Sequence, residues 1–368
     1  MGRLLRYVAL LTLAVSLAAC GDDEPEPGPT ATPTATDSPP PSAPPASEIA
    51  LPEGFSAYVV AEGFSSPTSL AQDSAGAVYV SERGGPIFRL DDTDDDGILE
   101  SKAEFASGLA LVNGIAFGPD GALYVASQGR VMVVRDNDSD RTADRSEEII
   151  AGLPRGAHQN NGLAFGPDGK LYLTNGSTCN DCEEPDERSA AILQANADGS
   201  GLVIYAHGLR NPYDITFDPR GRLWSTDNGS DPPCNTIDEL NLVQQGADYG
   251  WPYSPACDSL QSGTPPIVSL GFNTASTGLD YYDAEQFPDA YRDDLFITLW
   301  GSNATAPNSA GRVLVHAEIT ETAAGPQVTV EEFGTGFENP IDVIVDRDGT
   351  LLVLDFGSGQ LYRIIYTG

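Results

Sequence analysis

Basic residues are scarce in this chain of 368 residues. Lysine and arginine together number 19 against 54 aspartates and glutamates, so the formal net charge is −35, and the lysines are limited to Lys102 and Lys170. Because nucleic-acid binding depends on clustered cations that contact phosphates, this balance argues against a nucleic-acid partner. The acids are spread through loops, which fits calcium sites, a saline exterior or solubility alone.

Long apolar runs are also lacking. The apolar stretch 7–19 is too short to span a membrane. It follows two arginines and ends in the lipobox-like LAAC, so residues 1–19 are predicted to be a lipoprotein signal peptide and Cys20 to carry a lipid. We therefore expect an extracytoplasmic protein anchored to the cell membrane. An ordinary cleaved signal with a chance cysteine is the alternative.

Helical periodicity is missing as well. Residues 20–48 repeat proline, threonine, serine and acids without a hydrophobic pattern, which is typical of an extended, disordered tether. The remaining segment, 49–368, is long enough for one large β domain or two ordinary ones. It shows no strong 3.6-residue period, so we expect a β protein.

One pattern recurs through this segment: an apolar strand, a Pro-Asp-Gly-like turn and a second strand. The copies lie at 67–83, 113–129, 161–177, 212–229, 277–300 and 340–357. Repeated hairpins about 45 residues apart favour propeller blades over a sandwich, which is the alternative. Six copies predict an all-β, six-bladed β-propeller with four-stranded antiparallel blades. The strand 56–60 is predicted to pair in the last blade and close the ring, which hides sheet edges.

Cysteines are few. With Cys20 assigned to the lipid, four remain: Cys179, Cys182, Cys234 and Cys257. Outside the cytoplasm an even set suggests disulfides, and three pairings are possible. A redox motif or half of a zinc site is the alternative for the Cys-x-x-Cys pair, although the expected helix and a second ligand pair are missing. No Cys-x-x-Cys-His haem motif occurs.

One hairpin concentrates polar side chains. Its predicted strands, 213–217 and 222–226, are joined by the turn Asp-Pro-Arg-Gly. Arg210 and Asn211 precede the first strand, and the oxygen-rich run 227–231 follows the second. The hairpin therefore brings a cation, an amide and several oxygen ligands to one rim. This set suits an anionic planar ligand and a hard metal ion.

The order of motifs in this region resembles one family, the soluble sugar dehydrogenases that depend on pyrroloquinoline quinone (PQQ), and most closely their sorbosone dehydrogenase branch. The motifs are Leu209-Arg210-Asn211-Pro212, Asp227-Asn228-Gly229, Asp238-Glu239-Leu240-Asn241 and Asp248-Tyr249-Gly250-Trp251-Pro252. The likeness covers 49–368. It implies a PQQ- and calcium-dependent enzyme that oxidises an aldose or related sugar aldehyde or polyol by hydride transfer to the quinone. The electrons would then pass to an external acceptor.

The resemblance implies His158 as the catalytic base, because an imidazole titrates near working pH. Of the three histidines, His158 falls on the predicted rim, whereas His207 and His316 lie in strand-like segments. A histidine that caps a turn is the alternative. Ser177 stands where glucose-oxidising members have an aspartate that orients the base, which weakens a glucose assignment. Arg210 is expected to face the quinone oxygens and to stabilise the negative charge that develops there.

Further cofactor contacts follow from the same resemblance. Asn211 and Asn228 are expected to hydrogen-bond the cofactor. The late arginines of the glucose branch are missing, and Arg312 is the nearest replacement. Trp300 is expected to stack on the planar cofactor or to belong to the core. The expected cofactor ligands are His158, Arg210, Asn211, Asn228, Gly229, Trp300 and Arg312.

Calcium is expected at oxygen ligands. The resemblance implies that the carbonyls of Gly229 and Ser230 bind the calcium next to the cofactor, and that Glu239 and Tyr249 match a second, structural calcium site. Oxygen donors without a His/Cys set favour calcium over zinc. In that branch a Cys-x-x-Cys is frequent, so together with sequence proximity we expect the disulfides Cys179–Cys182 and Cys234–Cys257.

Two acidic loops are separate calcium candidates. Asp92, Asp94 and Asp96, with Glu100, have the spacing of a calcium loop but lack an acid at position twelve. The loop 136–147 repeats that spacing with arginine in place of the turn glycine. Both are alternatively solvated turns at blade edges.

Two other functions compete with the dehydrogenase. A calcium-dependent lactonase would need metal-ligating side chains that converge on the propeller axis. A surface propeller that binds a ligand or protein without turnover would use the same polar rim as a binding face.

Overall fold

The computed structural model describes residues 41–231, 236–252, 263–302 and 311–368. Within these ranges the chain forms six four-stranded antiparallel sheets and one short 3-10 helix, Asp289–Tyr291. No helix in the described ranges combines the length and apolar character that crossing a membrane requires. The predicted signal peptide, Cys20 and most of the predicted tether lie outside the described residues.

The sheets account for nearly all regular structure in the described chain. In chain order the strands are β1 Phe55–Glu62, β2 Pro67–Gln72, β3 Val78–Glu82, β4 Ile87–Asp91, β5 Ser101–Ala106, β6 Gly114–Phe117, β7 Leu123–Ser127, β8 Arg130–Arg135, β9 Arg145–Ile150, β10 Asn160–Phe165, β11 Leu171–Asn175, β12 Ala191–Ala195, β13 Val203–His207, β14 Pro212–Phe217, β15 Leu223–Asp227, β16 Ile237–Val243, β17 Val268–Phe272, β18 Ser276–Tyr282, β19 Asp294–Leu299, β20 Val313–Thr322, β21 Gly325–Thr335, β22 Pro340–Val345, β23 Leu351–Asp355 and β24 Gln360–Tyr366.

These strands form a closed six-bladed propeller, as the repeat predicts. Blades 1 to 5 are β2–β5, β6–β9, β10–β13, β14–β17 and β18–β21, and blade 6 has the order β1-β24-β23-β22. The first strand of each blade contacts the first strand of the next, and β2 contacts β22. The pairing of β1 with β24, as the outermost strand of the last blade, confirms the predicted closure, because it joins the beginning of the described chain to blade 6.

Burial explains the apolar second strands of the blades. All five residues of β3, β7, β11, β15 and β23 are buried, because a neighbouring blade covers each face of the sheet. Fourth strands such as β9 are largely exposed. Between blades 5 and 6, Tyr282 and Phe296 pack with Val343 and Val353. Apolar contact between blades therefore supplies most of the driving force for the ring.

Three aspartates cross-link neighbouring blades near the axis: Asp214, Asp280 and Asp342, on the first strands of blades 4, 5 and 6. Each carboxylate accepts a backbone N–H from the first strand of the next blade, at 3.2, 2.8 and 2.6 Å, respectively. Burial raises the pKa of all three, and that of Asp280 reaches about 6. In the folded protein these carboxyl groups therefore bind a proton more tightly than an unfolded aspartate does.

The predicted tether ends earlier than its composition indicates. Within residues 41–48, Pro41 and Ala46 are buried against the propeller, whereas most of the other residues are exposed. The backbone N–H of Ser42 donates to the Asp96 carbonyl at 3.0 Å, and that of Ala46 donates to the Ala57 carbonyl at 2.7 Å. Ala46 and Ile49 are buried. A proline-rich segment can thus still bury a few small apolar side chains, and composition alone does not show where that happens.

Candidate active site

A cavity of about 440 Å³ opens at the rim where first strands begin and second strands end. Its lining comes from all six blades, so it lies over the propeller axis, and we call it the axial cavity. The residue directly after the second strand contributes in five blades: Arg83, Gln128, Asn228, Trp300 and Phe356. Arg83, Gln128 and Phe356 were missed from the sequence, although this common position after the second strand of each repeat is a signal that identifies them.

In blade 3 the equivalent position is Gly176. A Cβ atom there would lie 2.6 Å from the His158 Cβ and 2.7 Å from the Asn211 Oδ1. Glycine is therefore required at this position, because it lets the histidine and the asparagine approach each other.

A chain of asparagine amides links three blades along the cavity wall. Asn113 Nδ2 donates to Asn161 Oδ1 at 3.0 Å, and Asn161 Nδ2 donates to Asn211 Oδ1 at 3.1 Å. Asn228 Nδ2 donates to the Asn211 carbonyl at 3.3 Å. Asn211 Oδ1 thus accepts the bond from Asn161, and the Nδ2 of Asn211 can donate to a ligand in the cavity.

His158 lines the axial cavity in one defined tautomer. Its Nδ1 lies 2.9 Å from Ser177 Oγ, and this hydroxyl donates its single proton to the Cys179 carbonyl at 2.7 Å. Ser177 Oγ therefore accepts from Nδ1–H, which leaves Nε2 unprotonated. Burial, and next the positive charge of Arg210, lower the pKa of His158 to about 4. The imidazole is thus a neutral proton acceptor at neutral pH, and its pKa lies below the near-neutral value expected from the sequence because burial disfavours the charged ring.

Arg210 is 3% exposed, and internal oxygen atoms hold its guanidinium group. Nε donates to the Asn180 carbonyl at 3.0 Å, and Nη2 donates to Asn180 Oδ1 at 2.6 Å and to Asp231 Oδ2 at 3.1 Å. Nη1 donates to the Asn228 carbonyl at 3.2 Å. Because a guanidinium has five N–H donors, one Nη1 hydrogen remains for a ligand. Most Arg210 donors therefore bind groups of the protein itself, so fewer remain for a cofactor than its expected role suggested.

A second cavity of about 410 Å³, the side cavity, contains Arg210, Gly229 and Asp231 in its lining. It shares Asn228 and Trp300 with the axial cavity. The structure therefore brings the expected base, the expected cation and the expected calcium loop to adjoining cavities with a common wall.

Asp227 joins the two ends of the predicted hairpin. Its carboxylate accepts the backbone N–H groups of Arg210 at 3.0 Å and Asn211 at 2.7 Å. Burial, followed by the charge of Glu239 opposite it on β16, raises the pKa of Asp227. The observed strands β14 and β15 differ from the predicted pair by one residue at their starts.

The expected calcium ligands supply oxygen donors. Gly229 lines the side cavity, and its N–H donates to Asp238 Oδ1 at 2.8 Å. Ser230 is fully buried, and its carbonyl accepts the Thr236 N–H at 3.0 Å. Backbone carbonyls beside a carboxylate are the hard oxygen ligands that calcium prefers, so this loop fits the ion.

The second expected calcium site fits only in part. Glu239 and Tyr249 are both 2% exposed. Tyr249 donates its hydroxyl to the Leu242 carbonyl at 2.8 Å and accepts the Gln244 N–H at 3.1 Å. Any ligand from Tyr249 is therefore its backbone carbonyl. Glu239 and Asp227 form a buried cross-strand carboxylate pair, which a cation would neutralise.

Two of the predicted cofactor contacts occupy different positions relative to the cavities. Trp300 lines both cavities and also packs against the core of blades 6 and 1, so it combines the two roles that the sequence left open. Arg312 is not among the described residues that line either cavity; it lies beside Gly301 with φ of 64°. Among the described residues that line the axial cavity, the one cation is Arg83, from the opposite end of the propeller. The closed ring brings blade 1 next to blade 6, which places Arg83 at the axial cavity, and a cofactor contact from Arg312 stays a prediction.

In each of the two acidic loops, several carboxylate groups lie close together. One oxygen each from Asp92, Asp94, Asp96 and Glu100 lie within 4.8 Å of one another, and the loop 136–147 contains a similar group. Arg141, at the turn position of the second loop, has φ of 73°, a left-handed conformation that favours glycine. Calcium binding at both loops stays a prediction.

The structure contains the disulfide Cys179–Cys182. The pairing predicted for Cys234 and Cys257 lies outside the described residues.

Comparisons with known proteins agree with this fold. An uncharacterized protein of Borreliella burgdorferi is 25% identical over 355 residues, which cover 87% of this chain and 91% of that protein. The pyrroloquinoline quinone-dependent sugar dehydrogenase of Hypocrea jecorina is 23% identical over 354 residues, 85% of this chain and 74% of that protein. The holo form of the pyranose dehydrogenase PQQ domain from Coprinopsis cinerea aligns with a TM-score of 0.73 at 18% identity, over 88% of this chain and 99% of that one.

A family model also matches most of the chain. It is described as a domain of unknown function, DUF7133, and covers residues 45–359. The match includes every strand from β1 to β23 and every described residue of the two cavities, and it ends just before β24. The chain belongs to this DUF7133 family, and it resembles the soluble PQQ-dependent sugar dehydrogenases.

Proposed function

We propose that this protein is a PQQ- and calcium-dependent dehydrogenase that oxidises an aldose or a related sugar aldehyde or polyol. The observation that carries the proposal is His158. Its hydrogen bond to Ser177 leaves Nε2 unprotonated, and its low pKa keeps the ring neutral at the rim of a polar axial cavity. A neutral imidazole in this setting is suited to take a proton from a substrate hydroxyl.

The reaction would remove a hydride and a proton from one carbon–oxygen group of the sugar. PQQ, when bound, supplies the two-electron acceptor for the hydride. His158 Nε2 would take the hydroxyl proton, so the C–O single bond becomes a carbonyl. The remaining Nη1 hydrogen of Arg210 would stabilise negative charge near the wall that the side cavity shares with the axial cavity.

The axial cavity has the character that an anionic, planar cofactor requires. Arg83 supplies a positive charge, the Asn211 amide supplies a hydrogen-bond donor, and Trp300 and Phe356 supply aromatic surface. A volume of about 440 Å³ lies in the ordinary range of cofactor pockets. The loop at Gly229 would hold calcium through oxygen donors in the adjoining cavity.

The lactonase alternative has less support. Among the described residues that line the axial cavity, none is aspartate or glutamate, so the cavity lacks the carboxylates that would hold a catalytic metal on the axis. A propeller that only binds a ligand needs no unprotonated base. The Ser177 hydrogen bond that leaves His158 Nε2 unprotonated therefore favours the enzyme over this alternative.

Adding PQQ and calcium to the purified apo-protein separates the three functions. We expect sugar-dependent dye reduction. Lactone hydrolysis, or binding without either reaction, would contradict the proposal. His158→Ala should lower the dehydrogenase rate by about 100-fold or more, because general base catalysis contributes on that order.

His207→Ala is the matched control, because this histidine lies at the end of β13 with half of its side chain exposed and lines a different pocket. It should leave the rate nearly unchanged. Equal losses in both variants would remove His158 as the base.

We also propose that the protein acts outside the cytoplasm, anchored through a lipid on Cys20, with an external electron acceptor. The support is the sequence of residues 1–20 and the Cys179–Cys182 disulfide, since disulfides persist mainly in oxidising compartments. Cys20→Ala should move the protein from the membrane fraction to the soluble exported fraction. Equal membrane association of wild type and variant would contradict the anchor.

A further inference from the structure

One short loop contacts both candidate catalytic side chains. The loop 177–184 follows β11 and is closed by the Cys179–Cys182 disulfide. At its start, Ser177 Oγ accepts a hydrogen bond from the Nδ1–H of His158 and donates one to the Cys179 carbonyl. The His158 backbone N–H also donates to the Ser177 carbonyl at 3.0 Å. The carbonyl of a disulfide-bonded residue thus determines how the imidazole is oriented.

Asn180 makes the second set of contacts, from between the two cysteines. Its carbonyl and its Oδ1 accept Nε and Nη2 of Arg210 at 3.0 and 2.6 Å. Its Oδ1 also accepts the Asp231 N–H at 3.0 Å, and its Nδ2 donates to the Asp231 carbonyl at 3.2 Å. Ser230 Oγ donates to the Asn180 carbonyl at 3.3 Å. One residue therefore holds the guanidinium and the 230–231 segment together.

Two features fix the direction of these carbonyl groups. The disulfide closes a ring over four residues, so the backbone of Asn180 has few conformations available. Beside it, the Glu184 carboxylate accepts both the N–H and the hydroxyl of Thr178 at 2.6 Å. Without the disulfide, the Cys179 and Asn180 carbonyls would lose the constraint that aims them at Ser177 and Arg210.

We propose that the disulfide-closed loop 177–184 is the positioning element of this site, and that Asn180 is its positioning residue for Arg210. The loop acts through other groups: through Ser177 it sets the tautomer of His158, and through Asn180 it sets the direction of the guanidinium. This inference rests on the proposed function for its catalytic meaning. The positioning itself can be measured without catalysis.

The test compares three variants by NMR. Because the chain has three histidines, ¹⁵N-histidine labelling gives a spectrum simple enough to report the His158 tautomer, and the Arg210 Nε–H reports hydrogen exchange. For the double variant Cys179→Ser/Cys182→Ser we expect a mixture of His158 tautomers and an Arg210 exchange rate raised about tenfold or more, as expected for a weakened buried hydrogen bond.

Asn180→Ala should raise the Arg210 exchange rate similarly and leave the His158 tautomer unchanged. The control Asn196→Ala, in the turn between β12 and β13, should change neither. PQQ affinity, measured by fluorescence titration of the apo-protein, should fall about tenfold in Asn180→Ala. A wild-type tautomer and a wild-type exchange rate in the disulfide variant would overturn the proposal.

Chemical reduction gives an independent comparison. A dithiol reagent transfers two electrons and two protons to the disulfide, which gives two thiols and the oxidised, cyclic reagent. The His158 and Arg210 NMR signals of the reduced wild type should match those of the double serine variant. The same signals of the double serine variant should not change when the dithiol reagent is added. If the double variant fails to fold, Asn180→Ala alone tests the proposal. A wild-type Arg210 exchange rate in Asn180→Ala would then contradict it. If the wild type binds no PQQ, the proposed function is wrong. The NMR comparison still tests whether the loop 177–184 positions His158 and Arg210.

Discussion

Replacing Ser177 by alanine should lower kcat about tenfold and change KM little. The side chain is fully buried, and its Oγ accepts from His158 Nδ1 at 2.9 Å while it donates to the Cys179 carbonyl at 2.7 Å. Alanine removes both bonds and leaves the imidazole free to place its proton on Nε2. That tautomer cannot accept the substrate proton, so the loss falls on the chemical step.

The size of the effect follows from the two bonds. A neutral intramolecular hydrogen bond contributes about 0.5–1.5 kcal/mol net, and about 1.4 kcal/mol corresponds to a factor of ten in rate. The bond to His158 therefore accounts for up to about a tenfold loss in kcat. Leaving the Cys179 carbonyl unpaired in addition should lower the free energy of unfolding by about 1–3 kcal/mol.

The assay is steady-state dye reduction by protein reconstituted with PQQ and calcium, together with urea unfolding. Ser127→Ala is the matched control, because Ser127 is also fully buried and donates to a backbone carbonyl, that of Ala110, at 2.7 Å. It should lose similar stability and keep its kcat. If Ser177→Ala keeps wild-type kcat while it loses stability, the reasoning about the tautomer is refuted.

Three further predictions concern the cavity wall and the axis. Arg83→Gln should weaken PQQ binding by about tenfold through the loss of one cation, as titrated by fluorescence. Gly176→Ala should abolish activity, because the new Cβ would overlap His158. The stability of wild type relative to Asp280→Asn should fall by about 2–3 kcal/mol between pH 4 and pH 7 in urea unfolding, since one pKa unit corresponds to about 1.4 kcal/mol.

The sign of the last prediction follows from proton uptake. Burial raises the pKa of Asp280 to about 6, above the roughly 3.9 of an unfolded aspartate. Between these values the folded protein binds more protons than the unfolded chain, so stability is lost as pH rises through the folded pKa. A relative stability that stays constant with pH would show that this carboxyl titrates normally.

Each of the other two predictions has its own control. Arg130→Gln changes a partly exposed arginine that pairs with Glu148 on blade 2, and this variant should bind PQQ like wild type. Gly246→Ala, at a surface glycine with no atom near its would-be Cβ, should lose some stability through its positive φ and retain activity. Equal PQQ affinity of Arg83→Gln and wild type would remove Arg83 from the cofactor site.

The repeat of strand, turn and strand was enough to predict the fold. Six hairpin repeats with apolar second strands indicated six blades that cover one another, so the number of blades and the pairing of β1 in the last blade followed from the local pattern. The motif order across 208–252 likewise predicted the rim at Arg210 and 227–231, because a hairpin brings its two ends together whatever surrounds it.

The tertiary structure determined which hydrogen-bond partners each polar group has. Sequence could not show that Asn180, Asn228 and Asp231 occupy most of the Arg210 donors. Nor could it show that Ser177 sets the tautomer of His158, or that Arg83 lines the axial cavity while Arg312 does not. These outcomes depend on contacts between blades that are distant along the chain. Residue type and spacing fix which strands form, whereas the available donors, charges and tautomers of a site depend on what the closed ring packs around it.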